Sequence, residues 1–276
     1  MMERLKSKAA GFKRSYIQLL TAVLYNCHIT GFVNGRIYKG KTKGICVPGL
    51  NCYSCPGAVA ACPVGSLQSA IATSTLRFPL FVLGSVILFG ILLGRMICGF
   101  LCPFGFIQEL IYKIPLPKIR KNRATKILSY LKFVILIIFV IMIPLLDNVP
   151  GFCKYICPAG TLEAGILLVI ADKGLQTMIG KLFTWKAVIL TVVLLLIIVC
   201  YRGFCRFLCP LGAFYSVFNP VAFFGISVDD EKCTGCNACI NSCLMDVSRV
   251  GDHECIHCGA CKKSCPEGAI RYCIRK

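Results

Sequence analysis

Acidic side chains are scarce. The 276 residues carry 12 Asp+Glu against 31 Lys+Arg, a formal net charge of +19. There are three histidines and one tryptophan. No Gly-x-Gly-x-x-Gly run marks a dinucleotide site, no flavin motif is evident, and no Cys-x-x-Cys-His attaches a c-type haem. With only His28 in an apolar stretch, a bis-histidine haem is unsupported. Polar residues are few as well: 57% of the chain is hydrophobic, too much for an ordinary soluble domain.

Cysteine is abundant, with 21 in the chain. Small secreted proteins use disulfides in place of a core. This chain has bulk enough for a core, so metal binding is the better reading. Thiolate-ligated clusters carry negative charge that the formal count omits, and basic membrane loops account for the rest of the excess. Nucleic acid is not the expected partner.

Four stretches are expected to span a bilayer, each near the 20 or so apolar residues required: 16–32, 76–97, 127–146 and 182–201. The first is interrupted by Asn26 and His28. It follows Arg4, Lys6, Lys8, Lys13 and Arg14, and no small-residue cleavage site follows it, so it reads as a retained helix. In the fourth, Lys186 is expected to snorkel to the interface. The loop 112–126 carries Lys113, Lys118, Arg120, Lys121, Arg123 and Lys126. Loop Lys/Arg therefore place both termini in the cytoplasm of a multi-pass bacterial cell-membrane protein. The outer loop 33–75, with Arg36, Lys39, Lys41 and Lys43, counts against this orientation.

A motif recurs along the chain: CPVGSLQ from Cys62, CPFGFIQ from Cys102, CPAGTLE from Cys157 and CPLGAFY from Cys209. Three copies have a cysteine four residues earlier, at Cys98, Cys153 and Cys205. Proline suits the first position of a helix, so each Cys-Pro is expected to open a short helix. The positive end of that helix would face an anionic cluster, with free N–H groups aimed at sulfur. Two thiolates cannot hold an iron–sulfur cube. Alternation of faces after each span then groups Cys98, Cys102, Cys205 and Cys209 as one inner set. Cys153 and Cys157 must find partners among Cys46, Cys52, Cys55 and Cys62. That is six thiols for one cube, with Cys52, Cys55 and Cys62 favoured over Cys46. A redox dithiol or disulfide at Cys52 and Cys55 is the competing reading. Cys27, Cys200 and Cys273 read as packed or incidental thiols, and His28 as a helix-interface histidine.

The C-terminal stretch is polar and holds CTGCNACINSC from Cys233 and CIHCGACKKSCP from Cys255. This is Cys-x2-Cys-x2-Cys-x3-Cys twice, the bacterial ferredoxin pattern in which the fourth cysteine of each run serves the other cluster. One 4Fe–4S set is then Cys233, Cys236, Cys239 and Cys265. The other is Cys243, Cys255, Cys258 and Cys261. Leu244 stands where the first run would carry proline. Structural zinc uses separated cysteine pairs rather than these tight triplets.

On these motifs the chain resembles the membrane polyferredoxins with Cys-x3-Cys-Pro motifs. That family includes the quinol-dehydrogenase-type subunit of periplasmic nitrate reduction and the membrane half of the nitrous-oxide-respiration regulator. The stretch GRIYKGKTKGICVPGLNCYSCPGAVAACPVGSLQ is still more similar to uncharacterised 4Fe–4S membrane proteins of anaerobic bacteria. The resemblance implies membrane electron transfer and names neither donor nor acceptor.

The expected architecture is an all-α polytopic membrane domain over 1–226, with four spanning helices and short helices after the Cys-Pro turns. A small α+β two-cluster ferredoxin domain follows over 227–276, on the cytoplasmic side. The expected function is an electron-transfer component of an oxidoreductase, carrying two ferredoxin cubes and two membrane cubes. It would link a ferredoxin-type partner to a quinone or an extracytoplasmic redox partner. The alternative is an accessory redox-sensing or metalloenzyme-maturation protein using the same clusters.

Overall fold

The computed structural model describes residues 2–73, 80–119, 121–177 and 179–275, with side chains from residue 14 onward except those of 33 and 173. The side chains of Arg4, Lys6, Lys8 and Lys13, and the whole of Arg120 and of the first residues of the second expected span, 76–79, therefore lie outside the described set. The described chain is mostly helical, with one two-stranded antiparallel sheet.

Two of its helices are long and apolar enough to cross a membrane, Arg123–Asp147 and Lys181–Val199. Both leave apolar side chains uncovered, among them Ile127, Val134, Ile137, Trp185, Val188, Val192 and Leu195. The described part of the second expected span, Leu80–Leu93, has 14 residues, about 21 Å at 1.5 Å per residue. Gly94 ends it with φ +51°, a conformation that costs glycine little. The first expected span differs more. One helix runs Met2–Tyr25 and a second Ile29–Asn34. The break falls at the polar residues seen in the sequence: Asn26 Nδ2 donates to the Asn51 side chain at 3.0 Å, and His28 Nδ1 lies 3.1 Å from the Pro56 carbonyl.

The Cys-Pro motifs fold as their chemistry requires. Helices Pro63–Ala72, Pro103–Ile111 and Pro210–Phe218 each begin with proline, and Cys62, Cys102 and Cys209 take the extended N-cap position. The fourth runs 158–171 after Cys157, with a π-helical turn at Gly160–Gly165. The earlier cysteine of each pair sits in a five-residue helix: Met96–Phe100, Gly151–Tyr155 and Gly203–Phe207. All three pairs close alike. The second cysteine's N–H donates to the residue before the first: Cys102 to Ile97 (3.0 Å), Cys157 to Phe152 (2.9 Å) and Cys209 to Phe204 (2.9 Å). Those three acceptors are completely buried and anchor each loop in the common core.

The C-terminal unit is held together by strand β1 (Phe224–Val228) paired antiparallel with β2 (Ile270–Ile274), in register from Phe224 opposite Ile274 to Val228 opposite Ile270. Between the strands lie two short helices, Ala238–Asn241 and Ala260–Ser264. The two cysteine runs turn the same way. Gly235 and His257 hold positive φ (69° and 52°) at equivalent places, as do Asn237 and Gly259 (55° and 75°). Glycine and asparagine suit that region, and His257 is the costlier occupant.

Candidate metal centres

Four groups of thiols come together. Cys233, Cys236, Cys239 and Cys265 line one cavity of the C-terminal unit. Cys243, Cys255, Cys258 and Cys261 are mutually within electrostatic reach. Burial pushes the Cys261 thiol up to about 12 and that of Cys243 to about 11, and the neighbouring thiols add to both shifts. Such thiols ionise only with a cation to hold them.

In the helical body, Cys209 is in electrostatic reach of Cys205, Cys98 and Cys102, and all four are buried. On the other side, Cys157 faces Cys153, Cys52 and Cys62. Those last four line a cavity of about 800 Å³ whose walls include neither Cys46 nor Cys55. Cys55 lies beside Cys52 with its sulfur turned to the Gly57 and Ala58 N–H groups. Cys46 bonds Ser66. Cys27, Cys200 and Cys273 stand outside all four groups. No disulfide joins any of the cysteines in this structure.

The surroundings fit four-iron clusters. Each group offers four separate thiols, the ligand set of a 4Fe–4S cube. Glycines leave room beside the sulfurs. A Cβ at Gly160 would stand 3.8 Å from Cys52 Sγ and 3.9 Å from Cys157 Sγ, and one at Gly65 would stand 3.7 Å from Cys153 Sγ. Donors aim at sulfur: Gly160 N–H to Cys157 and Gly212 N–H to Cys209, both 3.4 Å. Around the inner group Arg95, Lys132, Arg202 and Arg206 are all buried, against the carboxylates of Glu109, Asp246 and Glu254. The positive excess suits an anionic group, since buried charge needs a partner. Both ring nitrogens of His257, beside Cys258, are buried without a hydrogen-bond partner.

The sixth residue after each Cys-Pro cysteine was not singled out in the sequence, yet it links the halves of the body. Gln68 Nε2 donates to Cys153 Sγ at 3.3 Å, and Gln108 Nε2 to Cys205 Sγ at 2.9 Å. Both glutamines are fully buried. Glu163 accepts from the Cys52 N–H at 2.8 Å, and Tyr215 donates to the Pro48 carbonyl at 2.9 Å. The arginines three residues before Cys98 and Cys205 cross over: Arg202 donates to the Cys98 carbonyl, and Arg95 to the Cys205 carbonyl at 3.3 Å. Lys186, in the helix Lys181–Val199, donates its ammonium to the Cys153 carbonyl at 3.3 Å.

The C-terminal unit, the inner group and the outer group adjoin in turn. The C-terminal unit docks on the inner group through Arg95 and Lys132 to Glu254, and through Arg206 to Asp246. At Gly99, beside Cys98, the backbone passes so close to Ile256 that a Cβ would overlap the Ile256 carbonyl oxygen. Inner and outer groups meet at adjacent residues. The Leu50 N–H donates to Cys102 and the Asn51 N–H to Cys62.

Thiol sets at helix starts, in a helical body carrying a two-run cysteine unit, define an iron–sulfur electron carrier. A 4Fe–4S binding domain family matches residues 74–122, 130–171 and 182–225, and a second 4Fe–4S binding domain matches 251–271. The chain belongs to the 4Fe–4S polyferredoxin family of ferredoxin-type electron transport proteins. It is 28% identical to an uncharacterized protein of Methanocaldococcus jannaschii over 67% of this chain and 74% of that one. It is 28% identical to the methylamine utilization ferredoxin-type protein MauN of Paracoccus denitrificans, over 64% of this chain and 58% of MauN. The ferredoxin-type protein NapH of Escherichia coli is 23% identical over 66% of this chain and 59% of NapH. The chain thus spans less than two thirds of MauN and of NapH. No solved structure matches.

Proposed function

We propose that the chain is a membrane electron relay with four 4Fe–4S clusters. Cys233, Cys236, Cys239 and Cys265 hold the first, and Cys243, Cys255, Cys258 and Cys261 the second. Cys98, Cys102, Cys205 and Cys209 hold the third, and Cys52, Cys62, Cys153 and Cys157 the fourth. Such clusters supply one-electron carriers whose potentials follow charge, exposure and hydrogen bonds to sulfur. The unit 227–276 and both termini face the cytoplasm and meet a ferredoxin-type partner there. The far end serves a quinone or an extracytoplasmic redox partner. The short helix Leu80–Leu93 and the broken first helix complete four passes with the two long ones.

The observation that carries this reading is contiguity. A full span is about 30 Å, too far for one efficient electron step. The Leu50–Asn51 peptide, with one N–H on each membrane thiol group, brings the sulfurs of the two groups to on the order of 10 Å. The apolar faces of Arg123–Asp147 and Lys181–Val199 support a lipid setting.

The test is transfer across lipid. Vesicles carrying the protein with its C-terminal unit outward enclose an oxidised, membrane-impermeant dye. Dithionite added outside reduces the trapped dye only if the relay operates. Full bleaching of the protein's iron–sulfur absorption with no dye reduction contradicts the proposal.

A further inference from the structure

Tyr215, in the helix Pro210–Phe218, is completely buried and stands beside both membrane thiol groups. Its phenol is in electrostatic reach of Cys98, Cys102 and Cys209 of the inner group and of Cys62 of the outer. Its hydroxyl holds the Pro48 carbonyl at 2.9 Å. Pro48 leads into the segment that touches both groups. A Cβ at Gly49 would stand 3.0 Å from Cys102 Cα and 3.2 Å from the Leu101 carbonyl oxygen. Leu50 and Asn51 then donate to Cys102 and Cys62. A buried tyrosine needs a partner for its hydroxyl, and Pro48 satisfies that need alone. Packing by itself does not require the ring to stand beside two thiol groups, nor the bonded segment to be the one that joins them.

We infer that Tyr215 and the Leu50–Asn51 peptide form the path by which an electron crosses between the inner and outer groups. This rests on the relay reading and names its internal conductor. Electron tunnelling falls steeply with distance and is poorer across a void than through packed atoms, and the ring fills the space. One electron leaves the reduced carrier on Cys98, Cys102, Cys205 and Cys209. It arrives at the oxidised carrier on Cys52, Cys62, Cys153 and Cys157. Tyr215 keeps its proton and is neither oxidised nor reduced in net. It is a positioning residue: its hydroxyl fixes the 48–51 segment and its ring closes the gap.

The experiment compares the full chain with Tyr215→Leu and Tyr215→Phe, all purified anaerobically. It reads iron per chain, the midpoint potentials of the two membrane signals, and the rate at which the outer signal appears after rapid reduction from the C-terminal side. Tyr215→Leu is expected to keep its iron and both potentials and to lose most of the rate. Tyr215→Phe keeps the ring and retains most of it. A Tyr215→Leu protein that is fully loaded and transfers at the wild-type rate overturns the inference. Should Tyr215→Leu lose iron, the wild-type protein decides. Magnetic broadening between the two reduced membrane signals upholds the contact, and unbroadened, independent signals overturn it. An outer signal that never appears in the wild type sinks the relay itself, whichever path joins the groups.

Discussion

Replacing Gln108 by leucine removes one hydrogen bond to one sulfur. Gln108 is fully buried, its Nε2 donates to Cys205 Sγ at 2.9 Å, and its Oε1 accepts from the Cys205 N–H at 3.4 Å. Leucine fills nearly the same volume, so the cavity term is small. The donor stabilises the more negative, reduced state of the group that Cys205 would hold, so its removal must lower the midpoint potential. A hydrogen bond to a charged group contributes about 1.5–3 kcal/mol. Only the part that differs between oxidation states counts. Taking that as about half gives roughly 1 kcal/mol, which is ~40 mV for one electron at about 59 mV per tenfold change. The assay is a redox titration followed by electron paramagnetic resonance. One membrane signal should move down by roughly that amount, with the C-terminal signals unmoved. Gln68→Leu is the internal control, since Gln68 makes the corresponding bond to Cys153, and it should move the other membrane signal. No shift, or a shift upward, would mean that Gln108 only packs.

Glu254→Gln leaves Arg95 and Lys132 buried without their carboxylate. Breaking a buried pair costs about 3–5 kcal/mol, so the C-terminal unit should loosen, read as faster proteolysis between the body and that unit; unchanged proteolysis counts against the docking. Gly99→Val places side-chain carbons where the Ile256 carbonyl sits. Iron should stay bound while electron passage from the C-terminal unit to the inner group slows, and an unchanged rate would show that this approach is not the route. In the outer group, Cys52→Ser and Cys62→Ser should each lose one cluster's iron, whereas Cys46→Ser and Cys55→Ser should lose none; iron analysis of the four variants separates the sets.

Local chemistry was legible and long-range pairing was not. Proline after cysteine specifies a helix start wherever it stands, so the four short helices could be read from CPVG, CPFG, CPAG and CPLG. The ferredoxin runs carry their own connectivity in their spacing, and the thiols assigned to each set lie near one another. The outer group was ambiguous because spacing cannot say which of Cys46, Cys52, Cys55 and Cys62 turns toward Cys153. In the fold Cys46 bridges Ala61 and the Cys55 sulfur accepts from the Gly57 and Ala58 N–H groups, and this favours Cys52 and Cys62 as the partners of Cys153 and Cys157. Gln68 and Gln108 were missed although they end matching copies of the repeat, CPVGSLQ and CPFGFIQ. Arg95 and Arg202 likewise stand three residues before Cys98 and Cys205. Their equivalence was visible, but their partners lie about a hundred residues away in the chain. In the first expected span, hydropathy averaged over Asn26 and His28, whose side chains instead reach the loop of Asn51 and Pro56.

The most direct test of the relay is an iron and acid-labile sulfide count on anaerobically purified protein, wild type beside a Cys153→Ser/Cys157→Ser variant. The account predicts about 16 irons per chain, four cubes of four, falling to about 12 in the variant. About 12 irons in the wild type, unchanged in the variant, would contradict it, because the outer thiols would then hold no cluster and the path would end inside the membrane.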